Sequence, residues 1–306
     1  LLLKFAVQEF LDDREYKNLS KNTIETYRIF LKDFQNFCVS QSIINLHEIT
    51  SGTIKSYLLM CQKEQGNNAT TRNTKLRTLK TFFNYLEQNE VIATGKNPTK
   101  KMAYAKEEIK IEVFTDAHIS QMLSYLRRVK RRERTFHAYR NYVMIIFLLG
   151  SGCRLGETVN LRWNDVDMVN GVITVWGKKR EVSSIPITEK LIKELAEYRL
   201  YCEKYFGKVG EYVFVTDENK QLSPNSVKCM FKKLKKVFDF KDVRLSCHTF
   251  RHTFAHRMCM NGCDVFTLQR MLRHTEIEMT SRYISMWGTA LKEQNDKYNP
   301  LNHLEV

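Results

Sequence analysis

Proline is scarce in these 306 residues, four against twelve glycines, which leaves little material for long disordered linkers, a collagen-like chain or low-complexity sequence. No apolar run is long enough to cross a bilayer. The longest, Tyr142 to Gly150, is about half of the ~20 residues a membrane helix needs and reads as a buried core helix. The leading Leu1-Leu2-Leu3-Lys4-Phe5-Ala6-Val7 lacks the basic start and cleavage site of a signal peptide, and Gln8, Glu9, Asp12 and Asp13 follow at once. A cytoplasmic protein is expected. The eight cysteines show no CxxC spacing, and several sit in apolar periodic segments, where a reduced thiol behaves as a small hydrophobe. His252, His256, Cys259 and Cys263 share one helical stripe, but at ~1.5 Å per residue its ends are ~16 Å apart, too far to converge on one zinc ion. No metal is expected there.

What the chain has in excess is positive charge: 49 Lys and Arg against 34 Asp and Glu, a net +15, as befits a protein whose partner is a polyanion such as nucleic acid or an acidic membrane surface. The excess is uneven. Residues 1–95 carry 12 basic and 10 acidic side chains, residues 96–140 carry 12 and 5, and the remainder 25 and 19. The densest stretch, Arg127-Arg128-Val129-Lys130-Arg131-Arg132-Glu133-Arg134, reads as a basic strap suited to a clamp around a duplex.

Hydrophobic spacing divides the chain. Residues 1–92 read as entirely helical. Ser20 is the N-cap of a helix with Ile24, Tyr27, Leu31, Phe34 and Cys38 on one face; a second follows Thr50; a third follows Gly66-Asn67-Asn68, with Leu76, Leu79, Phe82, Phe83 and Leu86 inward and Arg72, Lys75 and Lys80 on a cationic side. Residues 93–112, with Gly95, Pro98, Lys100 and Lys101, read as an exposed linker. In residues 113–298 a helix from about Arg140 to Leu149 ends at the turn Gly150-Ser151-Gly152-Cys153, and Val172–Trp176 and Val182–Ile187 form a hairpin. Tyr212–Val215 reads as a strand, helices are expected near 189–201, 223–237, 248–260, 264–273 and 276–284, and 299–306 is a tail. The expected class is mainly α with a small antiparallel β-sheet, in two domains.

Four pieces carry chemistry: Gly152-Cys153-Arg154-Leu155-Gly156-Glu157, the hairpin Gly177-Lys178, His248-Thr249-Phe250-Arg251, and Leu272-Arg273-His274 with Tyr283 nine residues on. Their order and spacing resemble the tyrosine recombinase, or phage integrase, family, with residues 1–92 resembling its SAM-like core-binding domain and 113–298 its catalytic domain. The chemistry fits the residue types. Breaking a phosphodiester needs a nucleophile, cations for the charge on pentacoordinate phosphorus and an acid for the leaving oxygen. Arginine stays charged, and its planar fork grips two phosphate oxygens.

By resemblance, Arg154 and Arg251 are those cations, His248 helps deprotonate the nucleophile, His274 hydrogen-bonds the phosphate and Tyr283 is the nucleophile, forming a 3′-phosphotyrosyl link. Arg273 stands where the family usually has glycine. Lys178 and Lys179 are both candidates for the leaving-group acid; the family lysine directly follows the glycine, which favours Lys178. Arg72, Lys75, Lys80, Lys100, Lys101 and Arg162 are candidate DNA contacts.

The resemblance implies no cofactor, ATP or metal. It implies double-stranded DNA with paired sites, four protomers in the synaptic complex and, in some relatives, accessory DNA-bending or transposon proteins. Because the chain enters the core-binding segment almost at once, a simple recombinase of the Xer-like or cointegrate-resolvase type is expected over an arm-binding integrase. The alternatives are a non-catalytic DNA-binding regulator of a mobile element and a type IB topoisomerase-like enzyme that relaxes DNA.

Overall fold

The computed structural model describes residues 1–107, 111–177, 182–274 and 276–284. It divides into two compact units, Leu1–Lys110 and Ile111–Val306.

The first unit is four helices: α1 (Leu3–Tyr16), α2 (Lys21–Ser40), α3 (Ser51–Lys63) and α4 (Ala69–Gln88). Three start where a short polar side chain relieves an orphan backbone N–H: Ser20, Thr50 and Asn68 accept from the N–H groups of Thr23, Thr53 and Thr71. α4 packs on the other three. The core between them is aromatic. The Phe10 ring lies 5.4–5.5 Å from those of Tyr27, Phe82 and Tyr85, and Phe34 meets Tyr57 edge-on at 5.1 Å.

Two readings of this half are corrected. Lys75 is turned inward, 5% exposed, and its Nζ donates to Asp33, Gln65 and the Cys61 thiol, so it is a core cation rather than a DNA contact. The segment after α4 is not a free linker. Asn97, Thr99 and Met102 are buried, Asn97 donates to Asn84 and Glu87, and Asn73 exchanges hydrogen bonds with the Ala105 backbone. Side-chain amides satisfy backbone there without regular structure, which a turn-rich composition does not disclose.

The second unit holds α5 (Asp116–Glu133), α6 (Phe136–Ser151), α7 (Leu155–Asn160), β1 (Val166–Asp167), β2 (Val172–Trp176), β3 (Val182–Pro186), α8 (Glu189–Phe206), α9 (Pro224–Phe238), α10 (Cys247–Met260), α11 (Val265–Leu272) and α12 (Glu278–Ile284). The long apolar run is α6, buried among α5, α8 and α10. The sheet is antiparallel in the order β1-β2-β3, with Ile173 opposite Ile185 at its core and Trp176 opposite Val182 beside the turn. β1 was too short to show a pattern. Tyr212–Val215 is not a strand; its ends make isolated bridges to Arg162 and Gln221. The basic stretch is also corrected: Arg127–Glu133 forms the last turns of α5 rather than a strap. Lys and Arg are good helix formers, and three of them in the final turn oppose the negative end of the helix dipole.

Candidate active site

The site begins where α6 ends. Gly152 takes φ +60° to close the helix, and a Cβ there would lie 2.6 Å from the Phe254 ring, so only glycine fits this crossing of α6 and α10. Two residues on, Arg154 opens α7. Its backbone N–H donates to Glu157 Oε2 at 2.8 Å, and its guanidinium donates to Glu157 Oε1 at 2.9 Å and to the Arg273 carbonyl at 3.1 Å.

α10 is capped by Ser246 and places His248, Arg251 and His252 at i, i+3 and i+4, on one face. Arg251 is 5% exposed; it donates to the Gly152 carbonyl at 2.8 Å and to the Leu272 carbonyl. Thus one guanidinium ties the end of α6 to the end of α11. α11 closes with Arg273 at φ +54°, with the His274 N–H reaching Gln269 O and the Arg273 N–H reaching Arg270 O, the paired bonds of a left-handed helix stop. This backbone favours glycine, which gives the family's usual residue a physical reason. Here arginine accepts the strain, and its guanidinium donates to Glu157 Oε2 at 2.6 Å.

Glu157, 8% exposed, therefore holds two arginines at once. Burial alone would raise its carboxyl, but Arg273, the Arg154 backbone N–H and the Arg154 guanidinium together hold it below the ordinary carboxylate range. Arg251, with no carboxylate contact among the described residues, is pulled down to about 10 by burial and then by Arg154 and Arg273, and stays charged at neutral pH. The result is a partly desolvated cationic cluster suited to an anion with several oxygens.

His274 is buried, with Nδ1 2.8 Å from the Thr280 hydroxyl. With Thr280 as donor, the ring proton sits on Nε2, a second neutral donor for an anion. Burial, then Arg251 and Arg154, push its pKa down to about 4. His248, at the exposed start of α10, is lowered by desolvation and then by Arg251, Arg154 and Arg244. Tyr283, from α12, is 3% exposed, and its hydroxyl lies 2.7 Å from His252 Nδ1.

Five of the six expected catalytic residues thus converge, whereas Lys178, with Lys179, falls outside the described residues. Expectation missed the roles of His252, Arg273 and Thr280. His252 follows Arg251 directly and sits one turn from His248, so its placement on the working face was readable. Of the candidate DNA contacts, Lys100, Lys101 and Arg162 are exposed, Arg72 donates to Gln62, and Lys80 lies over the Tyr104 ring.

The histidines have a measurable consequence. A group whose folded pKa is depressed stabilises the fold above its unfolded value, ~6.5 for histidine, and loses that stabilisation as pH falls toward the folded value. His274, His248, His252 and His256 are all shifted this way. The melting temperature of the DNA-free protein is expected to fall by several degrees between pH 7 and pH 5, and the drop should shrink in His274→Asn. A flat profile over that range would show the rings are not held neutral.

A model of the phage integrase family matches residues 112–287, and a model of the phage integrase N-terminal SAM-like domain matches residues 7–93. The chain belongs to the phage integrase family. Among the members it resembles is the tyrosine recombinase XerC of Leptospira interrogans, 26% identical over 284 residues, covering 93% of this chain and 89% of that protein. XerA of Pyrococcus furiosus is 26% identical over 302 residues, covering 98% and 96%. XerD of Staphylococcus aureus is 26% identical over 286 residues, covering 93% and 94%.

Solved structures share the integrase fold. The Tn1549 transposon integrase, in complex with transposon right end DNA, aligns with a TM-score of 0.75 at 21% identity, over 92% of this chain and 94% of that one. The XerH recombinase bound to its palindromic difH substrate aligns at 0.74 and 17%, over 91% and 80%. Among the described residues, no helix is long and apolar enough to cross a membrane.

Proposed function

We propose that this integrase-family chain is a site-specific DNA recombinase that cuts and rejoins duplex DNA through a 3′-phosphotyrosyl intermediate at Tyr283. One observation carries the reading: Arg154, His248, Arg251, His274 and Tyr283, from the start of α7 to α12, lie in one cluster in which Arg251 is buried and still charged at neutral pH. The Tyr283 oxygen attacks the scissile phosphorus, the P–O5′ bond breaks, and the freed 5′ oxygen takes a proton. Arg154, Arg251 and His274 take up the charge on the non-bridging oxygens, an electrostatic role of the kind that dominates phosphoryl transfer. His248 assists deprotonation, and Lys178 supplies the leaving-group proton. The phosphotyrosyl ester conserves the energy of the broken bond, so a free 5′ hydroxyl can reverse the step without ATP.

Arg72, Lys80, Lys100, Lys101 and Arg162 contact the backbone of the duplex. Residues 1–92 act as the core-binding domain and 113–298 as the catalytic domain. The working assembly is a homotetramer holding two paired sites, acting in the cytoplasm. Its role is integration or excision of a mobile element, or resolution of cointegrates.

The test starts from a randomised duplex pool selected for binding to Tyr283→Phe, which should hold its site without cutting it. Supercoiled plasmids carrying one or two copies of the selected duplex are then mixed with the unmodified protein. Recombinant circles or deletions from two-copy plasmids are expected. Relaxation without recombinants would indicate a topoisomerase, and binding with neither product a regulator. For the acid, sulphur at the bridging 5′ position gives a leaving group that departs unprotonated, so Lys178→Ala should regain cleavage on that substrate. If only Lys179→Ala needs the sulphur, the acid is the next residue; if neither is rescued, the hairpin merely grips DNA.

A further inference from the structure

His248 is the histidine that the family resemblance pairs with the nucleophile, yet a different ring touches it here. His252 Nδ1 lies 2.7 Å from the Tyr283 hydroxyl, the two rings 5.8 Å apart and inclined by 50°. His252 sits one turn beyond His248 on the same face of α10, directly after Arg251, and is only partly exposed. A hydroxyl at that distance from an imidazole nitrogen can pass its proton without rearrangement.

We propose that His252 is the direct proton acceptor for the Tyr283 hydroxyl, a catalytic role that rests on the reading of Tyr283 as nucleophile. As Oη bonds to phosphorus, the O–H electron pair becomes the O–P bond and the proton passes to Nδ1. The P–O5′ pair leaves with the 5′ oxygen, which is protonated separately. The ring has a nitrogen free to accept: desolvation, then His248 and Arg251, lower its pKa and keep it unprotonated at pH 7. The imidazolium formed stands beside those same groups and is poorly held, which favours returning the proton to the phenol oxygen when the phosphotyrosyl bond is reversed. His252 therefore serves both directions as the group in contact with the hydroxyl, and His248, one turn earlier on the same face of α10, assists it.

The test uses the full chain and the selected duplex, nicked at successive positions so that the freed 5′ fragment diffuses away and adduct accumulates. His252→Asn keeps an acceptor near the Nδ1 position but cannot take a proton at neutral pH. Its rate of adduct formation is expected to fall by about 10²–10⁴-fold with DNA binding retained. Replacing Tyr283 in that variant by a ring-fluorinated tyrosine, whose phenol ionises near neutral pH, should restore at least tenfold of the loss. His252→Gln serves as a second variant if Asn disturbs folding.

Wild-type rates in either variant would overturn the proposal, as would a loss that the fluorinated phenol leaves untouched. Loss of DNA binding in both variants would mark His252 as structural and also overturn it. No adduct with the unmodified protein at any nick would instead fail the recombinase reading itself.

Discussion

Glu157→Ala should lower the stability of the second unit by about 3–5 kcal/mol, the range for removing one partner of a buried ion pair. The reason is the company the carboxylate keeps. Arg154 and Arg273 both donate to it, Arg273 from a left-handed backbone position, and Arg251 stands nearby with its donors on carbonyls. Without Glu157, the clustered cations repel one another, and Arg273 loses the contact that offsets its strain. Denaturant unfolding measures the effect. A duplex should recover part of the loss, because phosphate replaces the missing negative charge. Glu157→Gln keeps acceptor oxygen but no charge and should fall between the two. If Glu157→Ala unfolds at the wild-type denaturant concentration, the carboxylate does not hold the cluster.

Arg251→Ala should reduce strand cleavage by at least ~10²–10³-fold, the scale for removing one preorganised donor to a developing anion. Arg251 also ties Gly152 to Leu272, so part of the loss comes from loosening the two turns that present Arg154 and His274. Arg251→Lys separates the contributions. It keeps a charge but cannot bridge both carbonyls as a planar fork, so it should bind the duplex nearly as well as wild type while cleaving far more slowly. Equal losses in binding and cleavage rate would make Arg251 a general DNA-binding cation.

Local chemistry made much of the first unit legible: a capping Ser20 or Asn68 followed by apolar residues every three or four positions defines a helix without outside help. The family-ordered residues were equally readable, because Arg154, the HxxR turn, His274 and Tyr283 keep their spacing. Long-range pairing was not. Lys75 belongs by spacing to a cationic helix side, and Asp33, forty-two residues earlier, with Gln65 and the Cys61 thiol, explains why it is buried. Lys100 and Lys101 suggested an open linker, while neighbouring Asn97 is held by polar contacts to α4 and itself accepts from Thr99. The basic run of α5 resembled a strap because charge says nothing about backbone. Arg273 concealed its left-handed position, since glycine is the residue that would have announced it. His252 was visible on its helix face, but its partner lies thirty-one residues away on another helix.

The central claim, that Tyr283 forms a covalent bond to DNA, is tested by trapping the protein on the nicked selected duplex, digesting both components and weighing the modified peptide. The peptide beginning at Tyr283 should carry a nucleotide through a 3′ phosphate, and no adduct should form with Tyr283→Phe although it retains the duplex. A nucleotide on any other residue, or adduct persisting in Tyr283→Phe, would contradict it.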